Sequence, residues 1–516
     1  MIRIIALSIW LVLFFPGDCL HWLRAADRPQ WGQQYTRNMV SDETGLPETF
    51  EPGMRNAQTG DIDLPPEGGV KWVARLGDQS YGTPIVAGGK VFVGTNNGVP
   101  RDPRMQGDRG VLMCFDEKTG EYLWQLVVPK LEDSRVKWGD WQSIGLTSPP
   151  TIDGKRAYLV SNRCEVMCLD VEGMADGNDG PYTDEGRHMA VEDRPPLEPG
   201  PGDADIVWFF DMIRQTKAEP HNGANCSILM HGDLLYICTA NGVEWTHTRV
   251  LNPDAPSLIV LNKKTGELVA RDSFGIGPDI THGQWSSPAT GPVGGQWLGF
   301  YAAGNGYVYA YKMLDPDKLG REPVLLENVW KFNGHPLAQT QDHVEPDHQH
   351  DSTSYQVTAM PVLDGQRLYV PLTQEPFHGM RLGWLVCLDV TKTGDVTRSG
   401  IVWSYQDIGS TVSTVSVGDG LVYAADFGGR LHCLDAATGR PCWVHDVGGP
   451  MWGSTLLADG KIYIGSGKQV FWVLKAGRQL SVISKIRMRD GVFSTPVAAN
   501  GVLYVMTRKH LYAVGK

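Results

Sequence analysis

One pattern recurs eight times along the chain and constrains the fold more than any other feature. Each copy has a small or polar lead-in, a short apolar strand, a turn that contains glycine, and a second strand, as in "GTPIVAGGKVFVG" and "STLLADGKIYIGS". The turns are mostly Asp-Gly, Asn-Gly or Gly-Gly, which supply the positive φ angles that a tight hairpin needs. The pattern therefore predicts eight consecutive β-hairpins.

The spacing of the hairpins predicts the unit that contains them. The second glycine of each turn falls at Gly89, Gly154, Gly232, Gly295, Gly365, Gly420, Gly460 and Gly501. The last two intervals are 40 and 41 residues, a length that accommodates one four-stranded propeller blade. A third strand such as "VMCLD" follows each hairpin, and a fourth strand, usually with a tryptophan, follows the third. The longer early intervals predict insertions in loops.

The two ends of the repeated region complement each other. The last copy ends at "HLYAVGK", just after its third strand, whereas the segment Gly69–Asp78 precedes the first hairpin and has the pattern of a fourth strand. Placing this N-terminal strand in the last blade closes the ring and removes both exposed edges. We therefore expect an all-β fold, an eight-bladed propeller of four-stranded antiparallel blades over residues 69–516. Seven blades and an irregular segment are the alternative, because the copy around Gly295 is degenerate.

The beginning of the chain has the features of an export signal. Arg3 precedes the apolar run Ile4–Phe15, which is too short to span a bilayer comfortably and has the length of a signal-peptide core. We expect a signal peptide at residues 1–26, an arm at 27–68, and a location in the periplasm or outside the cell. Cys19 does not predict a lipid anchor, because Asp18 stands where a small residue belongs.

The cysteines support the repeat. Four of them take the same third-strand position in four blades: Cys114, Cys168, Cys387 and Cys433. Equivalent positions in different blades are too far apart for a disulfide, so we expect small buried side chains there. Cys226 and Cys238 straddle the turn at Gly232, and an exported protein permits a disulfide across that hairpin. A bonded pair and two free thiols both remain open.

A turn motif recurs in frame near the outer edge of the blades. In "CLDAATGRPCW" the motif comprises Asp435, Gly439 and Trp443, and "CFDEKTGEYLW" has the same spacing. The aspartate can accept backbone N–H bonds within the turn, and the glycine can take the left-handed conformation. The tryptophan can then pack its ring against a neighbouring blade.

This motif resembles the tryptophan-docking repeat of the quinoprotein dehydrogenases, which use pyrroloquinoline quinone (PQQ). It equally resembles the non-catalytic relatives in that superfamily, including the lipoprotein propeller of the outer-membrane assembly machinery. The lead-in "WGQQYTRNMVSDETGLPETF" is similar to the arm of exported planctomycete-type propellers. The resemblance covers Gly69 to Lys516 and implies the fold, but both branches carry the repeat, so it does not decide whether a cofactor binds.

The enzyme branch of the resemblance implies a pocket for a flat tricarboxylate and a hard cation at the mouth of the central channel. Loop residues supply candidates for each role. Trp245 and Trp285 could stack on the quinone, Arg104 and Arg163 could bind its carboxylates, Asn241 and Glu244 could hold Ca²⁺, and Asp351 could be the catalytic base. The chain has no adjacent cysteine pair and no C-x-x-C-H haem motif, so electrons would pass to a separate acceptor.

A histidine-rich run offers a second kind of site. His348 and His350 lie two residues apart, so on a strand they would share a face and could bind a transition metal. His221 and His282 would strengthen that prediction if they converged on the same mouth. The alternative is a polar loop that lines the channel.

The sequence thus favours an exported binding or scaffold protein that holds a small molecule or a protein at the channel mouth. The alternative is a PQQ- and calcium-dependent dehydrogenase of an alcohol or a sugar. The formal net charge of −12 disfavours nucleic acid as a partner, because phosphates need a basic face. No run after the signal peptide is long and apolar enough to cross a membrane.

Overall fold

The computed structural model describes residues 26–132, 139–339, 355–374 and 382–515. In these ranges the chain forms an eight-bladed propeller with very little helix. The arm contains β1 (Val40–Ser41), β2 (Met54–Arg55) and β3 (Ile62–Asp63), and β4 (Val70–Arg75) follows the arm. No helix in the described ranges is long and apolar enough to span a membrane.

The first four blades follow in chain order. Blade 1 contains β5 (Ile85–Ala87), β6 (Lys90–Asn96), β7 (Arg109–Asp116) and β8 (Tyr122–Pro129). Blade 2 contains β9 (Thr151–Asp153), β10 (Arg156–Val160), β11 (Glu165–Asp170) and, after helix α1 (Glu185–Met189), β12 (Ile206–Asp211). Helix α2 (Met212–Thr216) leads to blade 3, with β13 (Leu229–His231), β14 (Leu234–Cys238), β15 (Leu258–Asn262) and β16 (Leu268–Arg271). Blade 4 contains β17 (Ala289–Val293), β18 (Gln296–Ala302), β19 (Tyr307–Lys312) and, after β20 (Val324–Leu325), β21 (Asn328–Asn333).

The last four blades complete the ring. Blade 5 contains β22 (Tyr355–Gln356), β23 (Val362–Asp364), β24 (Arg367–Gln374), β25 (Gly383–Asp389) and, after β26 (Gly394–Asp395), β27 (Ile401–Tyr405). Blade 6 contains β28 (Ser416–Gly418), β29 (Leu421–Ala425), β30 (Arg430–Asp435) and β31 (Pro441–Asp446). Blade 7 contains β32 (Leu456–Ala458), β33 (Lys461–Ser466), β34 (Val470–Lys475) and β35 (Val482–Arg487), and blade 8 contains β36 (Val497–Ala499), β37 (Val502–Met506) and β38 (His510–Val514).

The ring closes as the sequence predicts. Strand β4 pairs antiparallel with β38, with Ala74 opposite Leu511, and so becomes the fourth strand of blade 8. The copy around Gly295 forms a regular blade, which confirms eight blades rather than seven. Its sequence is unusual because a Cβ atom on Gly291 would lie 2.2 Å from the side chain of Leu363, in the neighbouring blade. Strands β20 and β26 add a short parallel fifth strand to blades 3 and 4.

Burial explains the residue pattern of the blades. The second and third strands are buried on both faces because each blade packs between two others, so β7 and β34 are nearly continuous apolar runs. Fourth strands at the outer edge, such as β31 and β35, expose part of their length to solvent, whereas β8 is almost completely buried. All eight blades have a register shift at the same place between the third and fourth strands, and Cys114, Cys168, Cys387 and Cys433 each stand directly before it. These cysteines are free and buried, and so are Cys226 and Cys238, whose hairpin carries no disulfide.

The recurring turn motif joins neighbouring blades. Trp443 donates an indole hydrogen bond to the carbonyl of Gly477 in blade 7 (2.9 Å), and Trp403 does the same to Ala436 in blade 6 (3.0 Å). A Cβ atom on Gly439, in the same turn as Ala436, would lie 2.5 Å from the Trp403 ring. Glycine is therefore required at this position for two reasons: the backbone has a φ of +71°, and the Trp403 ring leaves no room for a Cβ atom.

The N-terminal arm fills one end of the central channel, which the sequence does not indicate. Between Arg28 and Ser41 the arm contacts the inner strand of every blade or the residues that lead directly into it. Its hydrogen bonds reach Val86, Ile152, Ser227, Thr290, Leu363, Val417, Leu457 and Ala498, in blades 1 to 8 respectively. Arg37 lies at the centre of this arrangement and is completely buried.

Candidate functional site at the loop end of the channel

The two ends of the channel have different structures. We call the end that carries the tight turns between the first and second strands the hairpin end, and the opposite end the loop end. The arm occupies the hairpin end. The loop end collects the segments that precede each inner strand and those that join the second and third strands, and its longest described loop, residues 239–257, belongs to blade 3.

Three histidines converge at the loop end of blade 3. His221 lies in the loop before β13, His247 in the loop between β14 and β15, and His282 in the loop before β17. Their ring centroids are 4.5 to 4.7 Å apart. One ring nitrogen from each histidine can be chosen so that all three atoms lie within 4.8 Å of one another. His221 and His282 thus converge, which is the condition that strengthens the predicted metal site, and His247 joins them although no sequence motif marks it.

Hydrogen bonding fixes the orientation of the most buried ring. Nδ1 of His221 donates to the carbonyl oxygen of Val243 (2.8 Å), because a carbonyl can only accept. The other nitrogen, Nε2, therefore carries the lone pair, and it lies 3.1 Å from Nε2 of His247. Burial, followed by the neighbouring rings of His282 and His247, lowers the pKa of His221 to about 3. His221 is therefore neutral at ordinary pH and presents a free lone pair to the cluster.

Close backbone packing holds the three loops together. A Cβ atom on Gly242 would lie 2.8 Å from both Cβ of His221 and the carbonyl oxygen of His282, so only glycine fits at this contact. The Trp285 ring stands edge-on to the His282 ring, at 5.1 Å between centroids, and its indole N–H donates to the carbonyl of Gly223 (3.2 Å). Trp285 is half-buried and therefore forms part of the wall beside the histidines.

Asn241 and Glu244 order the loop that carries His247. The Asn241 side chain accepts from the Glu219 backbone N–H (3.0 Å) and donates to the carbonyl of Asn252 (3.1 Å). Glu244 accepts hydrogen bonds from the backbone and hydroxyl groups of Thr246 and Thr248. Burial would raise the pKa of Glu244, but these hydrogen bonds outweigh it and lower the pKa to about 2. The carboxylate is therefore charged, and it lies near the histidines.

The two predicted arginines lie in other loops. Arg104, between β6 and β7, is exposed and forms a bidentate ion pair with Asp102. Arg163, between β10 and β11, lies 3.7 Å from the buried carboxylate of Glu165. Trp245 is 55% exposed in the same loop as His247. Asp351, His348 and His350 lie outside the described residues.

A second group of side chains lies across the ring from the histidines. Four half-buried aromatic residues come from blades 1, 6, 7 and 8: Tyr81, Phe427, Trp452 and Phe493. Trp452 lies 5.2 to 6.2 Å from each of the other three, between ring centroids, and the guanidinium of Arg508 lies 5.8 Å from the Phe493 ring. We call these five residues the aromatic group. None of the five residues belongs to the candidate set predicted from the sequence.

A positional signal could have found the aromatic group. Tyr81, Trp452 and Phe493 each stand directly before the small-polar lead-in of a hairpin, in "YGTP", "WGST" and "FSTP", and Trp285 has the same place in "WSSP". Side chains at equivalent positions of a propeller project from the same place in each blade. An aromatic residue at this position therefore predicts an aromatic ring at the channel mouth.

Comparison with known proteins agrees with this fold. The family described as outer membrane protein assembly factor BamB matches residues 381–480. The structure is similar to BamB from Moraxella catarrhalis (TM-score 0.50, 12% identity, 86% of this chain and 96% of that chain) and to a europium-containing methanol dehydrogenase (TM-score 0.56, 12% identity, 92% and 89%). No match was found among curated proteins. The fold is thus a β-propeller similar to those of BamB and of the methanol dehydrogenase, and residues 381–480 match the BamB family model.

Proposed function

We propose that this chain is an exported binding or scaffold protein that holds a small molecule or a protein partner at the loop end of its channel. The observation that carries the proposal is the difference between the two ends. At the hairpin end, the arm forms hydrogen bonds with the inner strands of the blades or the residues that lead into them. The loop end instead presents half-buried aromatic rings, an arginine and the polar loops of blade 3. Aromatic residues and arginine are the side chains that contribute most to binding interfaces.

The polar contacts at the loop end favour this role over the quinone-dependent one. A PQQ pocket needs cationic groups for three carboxylates and oxygen ligands for calcium. The described members of the predicted set do not supply them. The Asn241 oxygen accepts from the Glu219 backbone, and Glu244 accepts from its own loop. Arg104 is paired with Asp102, and Arg163 faces Glu165. These residues do not fit the cofactor, so we derive no catalytic step.

The proposal is tested by photo-crosslinking in the cells that make the protein. A photoreactive residue placed at Trp141 or Trp245, both half-exposed or more in the loop-end segments, is expected to give crosslinked products. The same residue placed at Lys118, in an exposed turn at the hairpin end, is the matched control and is expected to give none. Products from Lys118 alone would contradict a partner site at the loop end.

A cofactor titration separates the two candidate functions. The full-length protein is titrated with PQQ and Ca²⁺, and dye reduction is followed with a panel of alcohols and sugars. We expect neither a change in tryptophan fluorescence nor dye reduction. Stoichiometric PQQ binding with dye reduction would replace the scaffold role by that of a dehydrogenase.

A further inference from the structure

We propose that His221, His247 and His282 bind one divalent transition-metal ion through one imidazole nitrogen each. The three residues come from three separate loops, those before β13, between β14 and β15, and before β17, so the fold and not a local motif brings them together. This site goes beyond the proposed function, and it would hold whether or not a partner binds the loop end.

The distances match the geometry of such an ion. Zinc–nitrogen bonds of about 2.0–2.1 Å in a tetrahedron place two ligand nitrogens roughly 3.3 Å apart. The Nε2 atoms of His221 and His247 are already 3.1 Å apart, and all three chosen nitrogens lie within 4.8 Å of one another. A side-chain rotation of the third ring is then enough to complete a three-histidine face. Two imidazole nitrogens this close must share a proton when no ion is bound, and a cation replaces that proton.

The surroundings of His221 resemble those of a metal ligand. Histidine ligands commonly donate their second ring N–H to a carbonyl, which fixes the ring and the tautomer. His221 makes this bond to Val243, in the loop that also carries His247. Because Nδ1 of His221 makes this bond, Nε2 is the ring nitrogen directed at the other histidine. The orientation that metal binding requires is therefore built into the protein.

The ligand type selects the class of ion. Neutral imidazole suits Zn²⁺, Cu²⁺ and Ni²⁺, whereas Ca²⁺ and Mg²⁺ require mainly oxygen ligands. The Glu244 carboxylate accepts hydrogen bonds from Thr246 and Thr248 and is not one of the three ligands. Three protein ligands leave a fourth position for water or another molecule. His247 is half-buried, and the exposed Trp245 lies in the same loop, so solvent reaches this side of the cluster.

The simplest alternative is that three neutral rings pack together with Trp285 and only stabilise the loops. Edge-on ring contacts of this kind occur between aromatic residues without any ion. The two explanations differ in what removal of one imidazole does. Packing alone predicts a loss of thermal stability and no metal affinity, whereas a metal site predicts that affinity disappears with each histidine.

The test uses the full-length protein after treatment with a chelator. Binding of Zn²⁺ is measured by calorimetry, and binding of Co²⁺ by its visible absorption, which reports the coordination geometry. We expect one Zn²⁺ per chain, and a loss of affinity of about 100-fold or more in His247→Ala, His282→Ala and His221→Gln. His445→Ala, at a half-buried histidine on the outer strand of blade 6, is the matched control and keeps the affinity of the unmodified protein.

Circular dichroism and thermal melting without metal show which variants are folded. His247 is the least buried of the three, so His247→Ala decides the test if the other two variants fail to fold. Absence of stoichiometric Zn²⁺ binding, equal affinity in His247→Ala, or equal affinity for Ca²⁺ would each overturn the proposal. None of these results affects the interpretation of the crosslinking experiment, so the metal site and the partner site are tested independently.

Discussion

The two ends of the channel are built from the same eight blades and yet have different uses. At the hairpin end, one segment of fourteen residues, 28–41, satisfies backbone groups in equivalent strands around the ring. At the loop end, equivalent segments differ in length and in side chains, and they bring together three histidines on one side and the aromatic group on the other. The repeated strand and turn positions build the ring, whereas the loop-end segments that differ between blades bring these side chains together.

The largest loss of stability is expected for a substitution at the hairpin end of the channel. Arg37 donates to the carbonyls of Pro288, Trp31 and Ser227 and to the Ser227 hydroxyl, and burial lowers its pKa to about 10. Arg37→Ala would leave these acceptors unpaired beside a cavity, so we expect a loss of roughly 3–5 kcal/mol in the free energy of unfolding. Urea and thermal denaturation measure it. Arg440→Ala, at an exposed arginine, is the control, and an equal loss in the two variants would show that the arm does not seal the channel.

The next largest loss of stability is expected at the packing contacts between neighbouring blades. Gly439 and Gly420 have nearly the same φ, +71° and +72°, but a Cβ atom would touch the Trp403 ring at Gly439 and nothing at Gly420. Both alanine substitutions cost about 1–2 kcal/mol for the left-handed backbone. Gly439→Ala should cost about 1–3 kcal/mol more, because the ring must move. Equal melting temperatures for the two variants would mean that the tryptophan contact does not tighten the ring.

A buried ion pair shows that not every polar group at the loop end serves binding. Glu165, at the start of β11, accepts from His188 and Ser161, with Arg163 nearby. Burial alone would raise its pKa, but these partners lower it to about 2. A lowered carboxyl pKa contributes stability above the unfolded value near 4.3, and that contribution is lost as the pH falls towards 2. Glu165→Gln should therefore be less stable at pH 7 by on the order of 2 kcal/mol and lose less stability on acidification.

The measurement is the thermal midpoint between pH 2 and pH 7 for the unmodified protein and Glu165→Gln. Asp435→Asn is the control, because Asp435 also has a pKa lowered to about 2, chiefly by Arg478, but lies at the exposed outer edge. Surface pairs of that kind contribute little. Parallel pH profiles for the unmodified protein and Glu165→Gln would show that the buried pair does not stabilise the loop end.

The ring of eight blades could be predicted from the sequence because the pattern that specifies each blade is local and repeated. The turn glycines, the strand periodicity and the orphan strand at Gly69–Asp78 together predict eight blades and their closure, and the pairing of β4 with β38 confirms it. The arm carries no strand pattern, because it makes one or a few hydrogen bonds with each blade, from Val86 in blade 1 to Ala498 in blade 8. Its place in the channel therefore had no signal in the sequence.

The candidate site was only partly predictable for a related reason. His221 and His282 were recognised as loop residues that could converge, but His247 stands in "EWTHTR", where nothing local distinguishes it from a solvated polar residue. Its approach to His221 depends on Gly242 and on the bond from His221 to Val243, which connect different loops. Asn241 and Glu244 have the residue types of calcium ligands, but the Asn241 oxygen accepts from the Glu219 backbone and the Glu244 oxygens accept from Thr246 and Thr248.

Trp245→Ala is the substitution with the smallest expected effect on stability and the largest expected effect on partner binding. Trp245 is 55% exposed, so Trp245→Ala should change the free energy of unfolding by no more than about 0.5 kcal/mol. Trp443→Ala, at a buried tryptophan of the repeated motif, is the matched control and should lose about 3 kcal/mol or more. If Trp245 belongs to the partner site, Trp245→Ala should also weaken the crosslink formed from Trp141. Trp443→Ala, measured at a temperature at which that variant is folded, should leave the crosslink unchanged. A Trp245→Ala protein that unfolds as readily as Trp443→Ala would remove the distinction between the two ends, because the loop end would then be part of the frame.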